Sequence, residues 1–180
     1  MRSVFIVNPV AGGRNISDEL AKRLAQAAAT LENPDYVITR TTHPGHAREL
    51  AELAVKETGF GNTADKTEKN RFASRDVLEA IRDMRTVGVL REHPQEKLWE
   101  VGVPVGVIAA IVPSTNPTST VCYKAMIALK SGNAIVFSPH PKALQCTLRA
   151  VSIVAQAAEK AGAPKGSVSC LTLGAMAGTQ

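Results

Sequence analysis

Residues 105–112, Val-Gly-Val-Ile-Ala-Ala-Ile-Val, contain no polar side chain. The run is far shorter than the roughly 20 apolar residues needed to cross a bilayer. It also lacks the alternation of wet and dry positions that marks a strand with one face in water. A strand of this kind is expected to be covered on both faces, in the interior of a parallel sheet. Its exit, Pro113-Ser114-Thr115-Asn116-Pro117-Thr118, opens a helix that reaches about residue 129. A second short apolar strand at 134–137 then ends in Ser138-Pro139-His140-Pro141. Strand–crossover–strand units are right-handed almost without exception, so both strand ends fall at one sheet edge. Ligands of open α/β sheets bind outside that edge.

The flanking sequence supports the same architecture. Between 142 and 160, polar residues recur as Lys142, Gln145, Arg149, Ser152, Gln156 and Glu159, a narrow wet stripe on an otherwise apolar helix. Such a helix packs against a sheet over most of its girth. Gly162 stops it, and Pro164 reinforces the stop. Upstream, 4–7 and 36–39 read as strands. Between them Ser17 can cap a helix bearing Leu20, Leu24, Ala27, Ala28 and Leu31, and a further helix spans about 45–56. Residues 64–84 read as one long helix with Phe72, Leu78, Ile81 and Met84 along one side, and 97–101 as a strand of a hairpin. The expected fold is α/β: three-layer and Rossmann-like, with a mostly parallel sheet that is incomplete.

Several function classes drop out. The net charge is +5 and the pI near 9.3, but bases alternate with acids, as in Glu49, Glu52, Lys56 and Glu57, and only 4% of residues are aromatic. Neither a nucleic-acid footprint nor a base-stacking platform is expected. No stretch is long and apolar enough for a membrane span. Cys122, Cys146 and Cys170 are odd in number and widely spaced, which suits neither a disulfide framework nor a metal site and fits a reducing cytoplasm.

Two loops are candidate anion turns. Asn8-Pro9-Val10-Ala11-Gly12-Gly13-Arg14 and Thr41-Thr42-His43-Pro44-Gly45-His46-Ala47 each follow a strand and precede a helix, where free N–H groups face an anion. Glycine turns after strands are nevertheless common in α/β folds, and neither the Walker pattern nor the dinucleotide fingerprint is present. These two runs make the first fifty or so residues similar to the opening of the diacylglycerol kinase catalytic domain family, whose loops there border an ATP site. The family's central glycine-aspartate-glycine motif has no match in this chain.

The edge at 112–116 is chemically the richest part. The Asn116 amide can donate to a developing oxyanion. Helix capping by Ser114, Thr115, Asn116 or Thr118 competes with that reading, and residue spacing favours the cap. His140 can contact a ribose or phosphate, although a solvated loop histidine is the commoner outcome.

A longer set of runs resembles the N-terminal part of the CoA-acylating aldehyde dehydrogenases, the acetaldehyde and propionaldehyde enzymes. They are Glu-Thr-Gly-Phe-Gly at 57–61, Asp65-Lys66, Lys-Asn-Arg-Phe-Ala-Ser at 69–74, Thr-Val-Gly-Val-Leu at 86–90 and Pro-Val-Gly-Val-Ile at 104–108. Val-Pro-Ser-Thr-Asn-Pro-Thr-Ser-Thr at 112–120, Lys-Ser-Gly-Asn-Ala-Ile-Val-Phe-Ser-Pro-His-Pro at 130–141 and Ala-Gly-Ala-Pro at 161–164 complete the set. The resemblance implies that Val112, Pro113, Ser114 and Thr115 line a cofactor crevice. It places Asn116 near a thioester oxyanion, with Thr115 as competitor, and Ser138, Pro139 and His140 beside the adenosine ribose.

It further implies NAD as cofactor, with NADP as the alternative, and coenzyme A as co-substrate. The partners are a small aldehyde and CoA, with homo-oligomerisation open to the protein. The setting is the cytoplasm or, for the family, a bacterial microcompartment. Family members react through a cysteine thiolate that forms a thiohemiacetal, passes hydride to the nicotinamide and yields a thioester. That cysteine is expected beyond position 180, and the three present here read as small core residues. The expected organisation is a partial kinase-like segment over 1–50 and a truncated dehydrogenase cofactor domain over 51–180. A fragment able at most to bind cofactor is the favoured function; a kinase-related protein and a non-catalytic scaffold are the alternatives.

Overall fold

The computed structural model describes residues 3–7, 36–40 and 45–173. Strands β1 (Ser3–Val7) and β2 (Tyr36–Arg40) are followed by helices α1 (His46–Thr58) and α2 (Thr63–Arg71), a π-helical turn (Phe72–Asp76) and α3 (Val77–Ile81). Next come β3 (Gly88–His93), β4 (Leu98–Gly102), β5 (Val107–Val112), α4 (Pro117–Lys130) and β6 (Ala134–Pro139). A 3-10 turn (Pro141–Ala143), α5 (Leu144–Lys160) and β7 (Val168–Cys170) complete the order. The helix expected after Ser17, the glycine loop at 8–14 and residues 41–44 of the second candidate loop lie outside the described residues.

The central unit is the parallel sheet β5-β6-β7, reached through the two expected crossover helices. One of its faces carries the core. Ala110 and Val112 of β5, Ile135 and Phe137 of β6 and Val168 of β7 pack with Val121, Ala125 and Ala128 of α4. Ala150, Val151, Val154 and Ala158 of α5 and Leu50 of α1 close the same cluster. On α5 the wet stripe falls where the spacing puts it: Gln145, Arg149, Gln156 and Glu159 are exposed, while Cys146, Thr147, Ala150 and Val154 are buried. Gly162 ends the helix at φ +95°, a conformation that favours glycine.

Two expectations need correcting. β5 is an edge strand among the described residues and is covered on one face only. Val107 and Ile111 are 69% and 68% exposed, because the helices packed with the sheet share one core and leave the alternate residues of β5 bare. Nor is 64–84 one regular helix with an apolar side. Leu78 is buried, but Phe72 is 60% and Met84 56% exposed. A π turn holds more residues than an α turn, so the turn at 72–76 shifts the phase between α2 and α3, and Met84 falls beyond the helix end. The face that α2 buries is polar, formed by Lys66 and Asn70.

The segment at 97–101 forms β4 of an antiparallel hairpin with β3. Gly102 there lies so close to Thr86 that an added Cβ would sit 2.5 Å from the Thr86 carbonyl oxygen. β1 and β2 pair in parallel with each other and form a sheet separate from β5-β6-β7.

The start of α5 has no cap of its own, since its N-cap is Ala143. Glu57 of α1 serves instead. Its Oε1 accepts from the Gln145 N–H at 2.8 Å and its Oε2 from the Cys146 N–H at 2.7 Å. A carboxylate at a helix N-terminus satisfies orphan donors and complements the helix dipole. Replacing Glu57 by Ala should therefore cost about 1–2 kcal/mol of unfolding free energy. Breaking the exposed Glu49–Arg149 pair (2.9 Å) between the same helices should cost less than about 0.5 kcal/mol. Urea unfolding of Glu57→Ala beside Arg149→Ala checks the difference, and equal losses would contradict the capping role.

Candidate functional site

Parallel pairing sets the carboxyl ends of β5 and β6 side by side. Val112 and Pro139 are register partners, and the His140 N–H donates to the Val112 carbonyl at 3.2 Å. The residues singled out in the sequence therefore share one edge, but they contribute differently. Val112, 1% exposed, and Pro139 are buried, so their side chains belong to the interior and they give the edge only backbone. Pro113, Thr115 and His140 are exposed, while Ser114, Asn116 and Ser138 are half-buried. The His140 Nδ1 accepts from the Lys142 N–H at 3.1 Å. That bond assigns the lone pair to Nδ1 and leaves Nε2 as the donor of the neutral ring.

Asn116 occupies the N-cap position of α4, with Pro117 following it, yet its side chain makes no capping bond. Its carbonyl accepts from the Thr120 N–H at 3.1 Å and from the Ser119 hydroxyl at 3.3 Å. Its side-chain Oδ1 accepts instead from the ammonium of Lys69 at 3.3 Å. An ammonium has donors and no acceptor, so the amide end facing it is the oxygen. The Nδ2 group donates to no described residue. Thr118 is likewise engaged elsewhere, its hydroxyl donating to Asn70 Oδ1 at 2.8 Å. For both residues the capping reading gives way.

The residues that sequence reasoning missed are Lys66, Lys69 and Asn70 of α2. Lys66 is 4% exposed, and its Nζ donates to the Thr115 carbonyl at 2.7 Å. Burial holds its pKa below the ordinary lysine range, and the nearby Lys69 charge pushes the same way. Asn70, 3% exposed, uses both ends of its amide: Nδ2 donates to the Ala47 carbonyl at 3.0 Å, and Oδ1 takes the Thr118 hydroxyl. A signal for these roles was present. Residues 66, 69 and 70 share one helical face, and Thr63–Arg71 offers no large apolar residue to bury.

None of the three cysteines is poised as a thiolate. Burial pushes the Cys122 thiol up to about 11 and the Cys170 thiol up to about 11. Cys146 is fully buried and donates to the Ala143 carbonyl at 3.4 Å. Burial, with the Glu57 carboxylate added, pushes its thiol up to about 12. Among the described residues no cluster of three or more His, Cys, Asp or Glu side chains could hold a metal ion. No described helix is long and apolar enough to cross a membrane.

The family model described as "Aldehyde dehydrogenase family" matches residues 39–180. The bifunctional aldehyde-alcohol dehydrogenase AdhE of Escherichia coli K12 is 50% identical over 116 residues, which are 64% of this chain and 13% of that protein. The crystal structure of an acetylating aldehyde dehydrogenase from Geobacillus thermoglucosidasius superposes with a TM-score of 0.73 at 57% identity, covering 74% of this chain and 30% of that one. A propionaldehyde dehydrogenase from Rhodopseudomonas palustris, solved with bound CoA and an acylated cysteine, gives a TM-score of 0.59 at 32% identity. It covers 73% of this chain and 29% of its own length. The chain thus spans less than a third of the length of each of these proteins. The match to the family model takes in the strand edge, the helix that braces it and well over half the sequence, and the chain belongs to the aldehyde dehydrogenase family.

Proposed function

We propose that this chain forms the cofactor edge of a nicotinamide-dependent, CoA-acylating aldehyde dehydrogenase. One observation supports the reading most strongly. The Asn116 amide stands at a helix N-terminus without capping it, with its oxygen taken by Lys69 and its N–H donors bonded to no described residue. A residue kept for capping would have turned its Oδ1 to a backbone N–H of the first helical turn rather than to an ammonium. An amide donor held at the carboxyl edge of a parallel sheet suits an oxyanion that develops during acyl transfer.

In the whole enzyme the reaction is aldehyde, CoA and NAD to acyl-CoA and NADH, with NADP as the alternative oxidant. The cofactor supplies the hydride acceptor. This chain's own contribution is positional. Pro113, Ser114 and Thr115 offer the crevice wall, and Ser138 and the Nε2–H of His140 offer polar contacts to a ribose. Asn116 donates to the substrate oxygen while that oxygen carries negative charge. The catalytic thiol is not Cys122, Cys146 or Cys170, since each is held protonated near neutral pH. A cytoplasmic or microcompartment setting and self-association belong to the same proposal.

A second reading has one observation in its favour. Among the described residues β1 and β2 form a sheet of their own, as a segment over 1–50 of the diacylglycerol kinase kind would, while both lie against α5 and β1 also against α4. ATP titration separates it from the first.

NADH added to the purified chain should show enhanced and blue-shifted nicotinamide fluorescence, while ATP should give no response. Silence towards NADH would sink the cofactor reading. Acyl-CoA-dependent NADH oxidation should be undetectable, and turnover abolished by any single Cys→Ala change would overturn the assignment of the cysteines. The thiols give an independent check. At pH 8 an ordinary cysteine is roughly a quarter thiolate, whereas one titrating near 11 is about 0.1% ionised. Native thiols should therefore react with a disulfide reagent at least about 100-fold more slowly than those of the urea-unfolded chain. Because the folded thiols titrate above the unfolded value, they favour the fold fully below about pH 8.5, and that contribution falls as pH rises from there towards 11.

A further inference from the structure

The proposed oxyanion donor is only as good as the orientation of its amide. A side-chain amide has two nearly isosteric orientations, and at an exposed strand edge little else distinguishes them. In one, Nδ2 is available to an oxyanion. In the other, the carbonyl oxygen takes its place and repels the charge it should stabilise. Steric fit does not choose between the two, so a neighbouring charge must.

We propose that Lys69 is a positioning residue whose ammonium takes Oδ1 of Asn116 and thereby commits Nδ2 as the donor at the sheet edge. The contact is 3.3 Å, and reversing the amide would set N–H against N–H. The backbone around Asn116 is fixed independently. Lys66 holds the preceding carbonyl at Thr115, and Ser119 and Thr120 hold the carbonyl of Asn116 itself. With the backbone pinned on both sides, the amide torsion is the remaining freedom, and Lys69 addresses that torsion. Lys69 is exposed while its neighbours on the same face, Lys66 and Asn70, are buried. Its loss therefore leaves the packing of α2 intact and separates positioning from folding. A cation on the carbonyl oxygen also polarises the amide, which strengthens the N–H groups as donors and raises the barrier to rotation about the C–N bond.

This inference rests on the reading of Asn116 as the oxyanion donor, and the experiment keeps the two apart. The 180-residue chain is labelled with 15N-asparagine, and the Asn116 side-chain NH2 pair is assigned by its loss in Asn116→Ala. Lys69→Met should move the Asn116 pair further than that of any other asparagine and speed exchange between its two protons, with the Asn70 and Asn133 pairs unmoved. Lys69→Arg, which retains a cationic donor, should leave the Asn116 pair near its original place. An Asn116 pair indifferent to Lys69→Met, or displaced equally by Met and Arg, overturns the proposal. The same bond is read from its other end in the unsubstituted lysine. In a chain labelled with 15N-lysine, Asn116→Ala should shift the 15Nζ signal of Lys69 and not that of Lys66, and an unmoved Lys69 signal overturns the proposal as well. NADH fluorescence in parallel tests the underlying reading. A responsive amide in a chain that ignores NADH retains the positioning role and removes the cofactor edge, whereas NADH binding with an unresponsive amide does the reverse.

Discussion

A buried ammonium governs the arrangement of this edge. Removing a charge from water is costly unless a partner compensates, and Lys66, almost wholly enclosed, has the Thr115 carbonyl at 2.7 Å. While Lys66 is enclosed, helix α2 and the loop after β5 hold each other: a shift of either would leave the buried cation without its carbonyl and the loop without its brace. Asn70 extends the constraint. Its single amide ties the carbonyl of Ala47, at the start of α1, to the hydroxyl of Thr118, at the start of α4. A buried polar network of this kind selects one arrangement among many of similar apolar burial.

The apolar core and the polar ties act on different parts of the molecule. Phe137, Ile135 and Val112 hold sheet to helices, and hydrophobic contact of that sort tolerates small slides. The loops at the carboxyl edge gain nothing from it, since Pro113, Thr115 and His140 are exposed. Their placement comes from directional bonds: Lys66 to Thr115, Lys69 to Asn116, and the backbone link from His140 to Val112. Glu57 works in the same manner on the first turn of α5, one connection further along.

Much of this architecture was legible in the sequence. The apolar runs at 105–112 and 134–137 and the stripe of polar residues from Gln145 to Glu159 are strong periodic signals, and the elements fall where those signals put them. The ordered run of motifs shared with acylating aldehyde dehydrogenases identified the family. Three things were hidden, each for a physical reason. The π turn at 72–76 inserts a phase shift that no apolar count reveals, so Phe72 was assigned to the wrong side. The buried face of α2 is made of lysine and asparagine, which hydropathy places in water. The failure of Asn116 to cap its helix goes with a contact from Lys69, 47 positions earlier in the chain. Local sequence contains the candidates for such a contact but not their encounter.

The separations along the chain have a kinetic meaning. β5 and β6 meet through a 27-residue offset, Val107 with Ala134, whereas Lys66 reaches Thr115 across 49 positions and Glu57 reaches Cys146 across 89. Closing the longest of these loops costs about 1 kcal/mol more chain entropy than closing the shortest. Local pairing therefore has the advantage in time, and the sheet can form while the bracing helices are still searching. During synthesis α2 emerges well before its partner loop and must wait with its lysines in water, where they are at ease. Building the brace from charged side chains keeps it soluble during that interval, and only the arrival of Thr115 and Thr118 turns that hydrated face into an interior one.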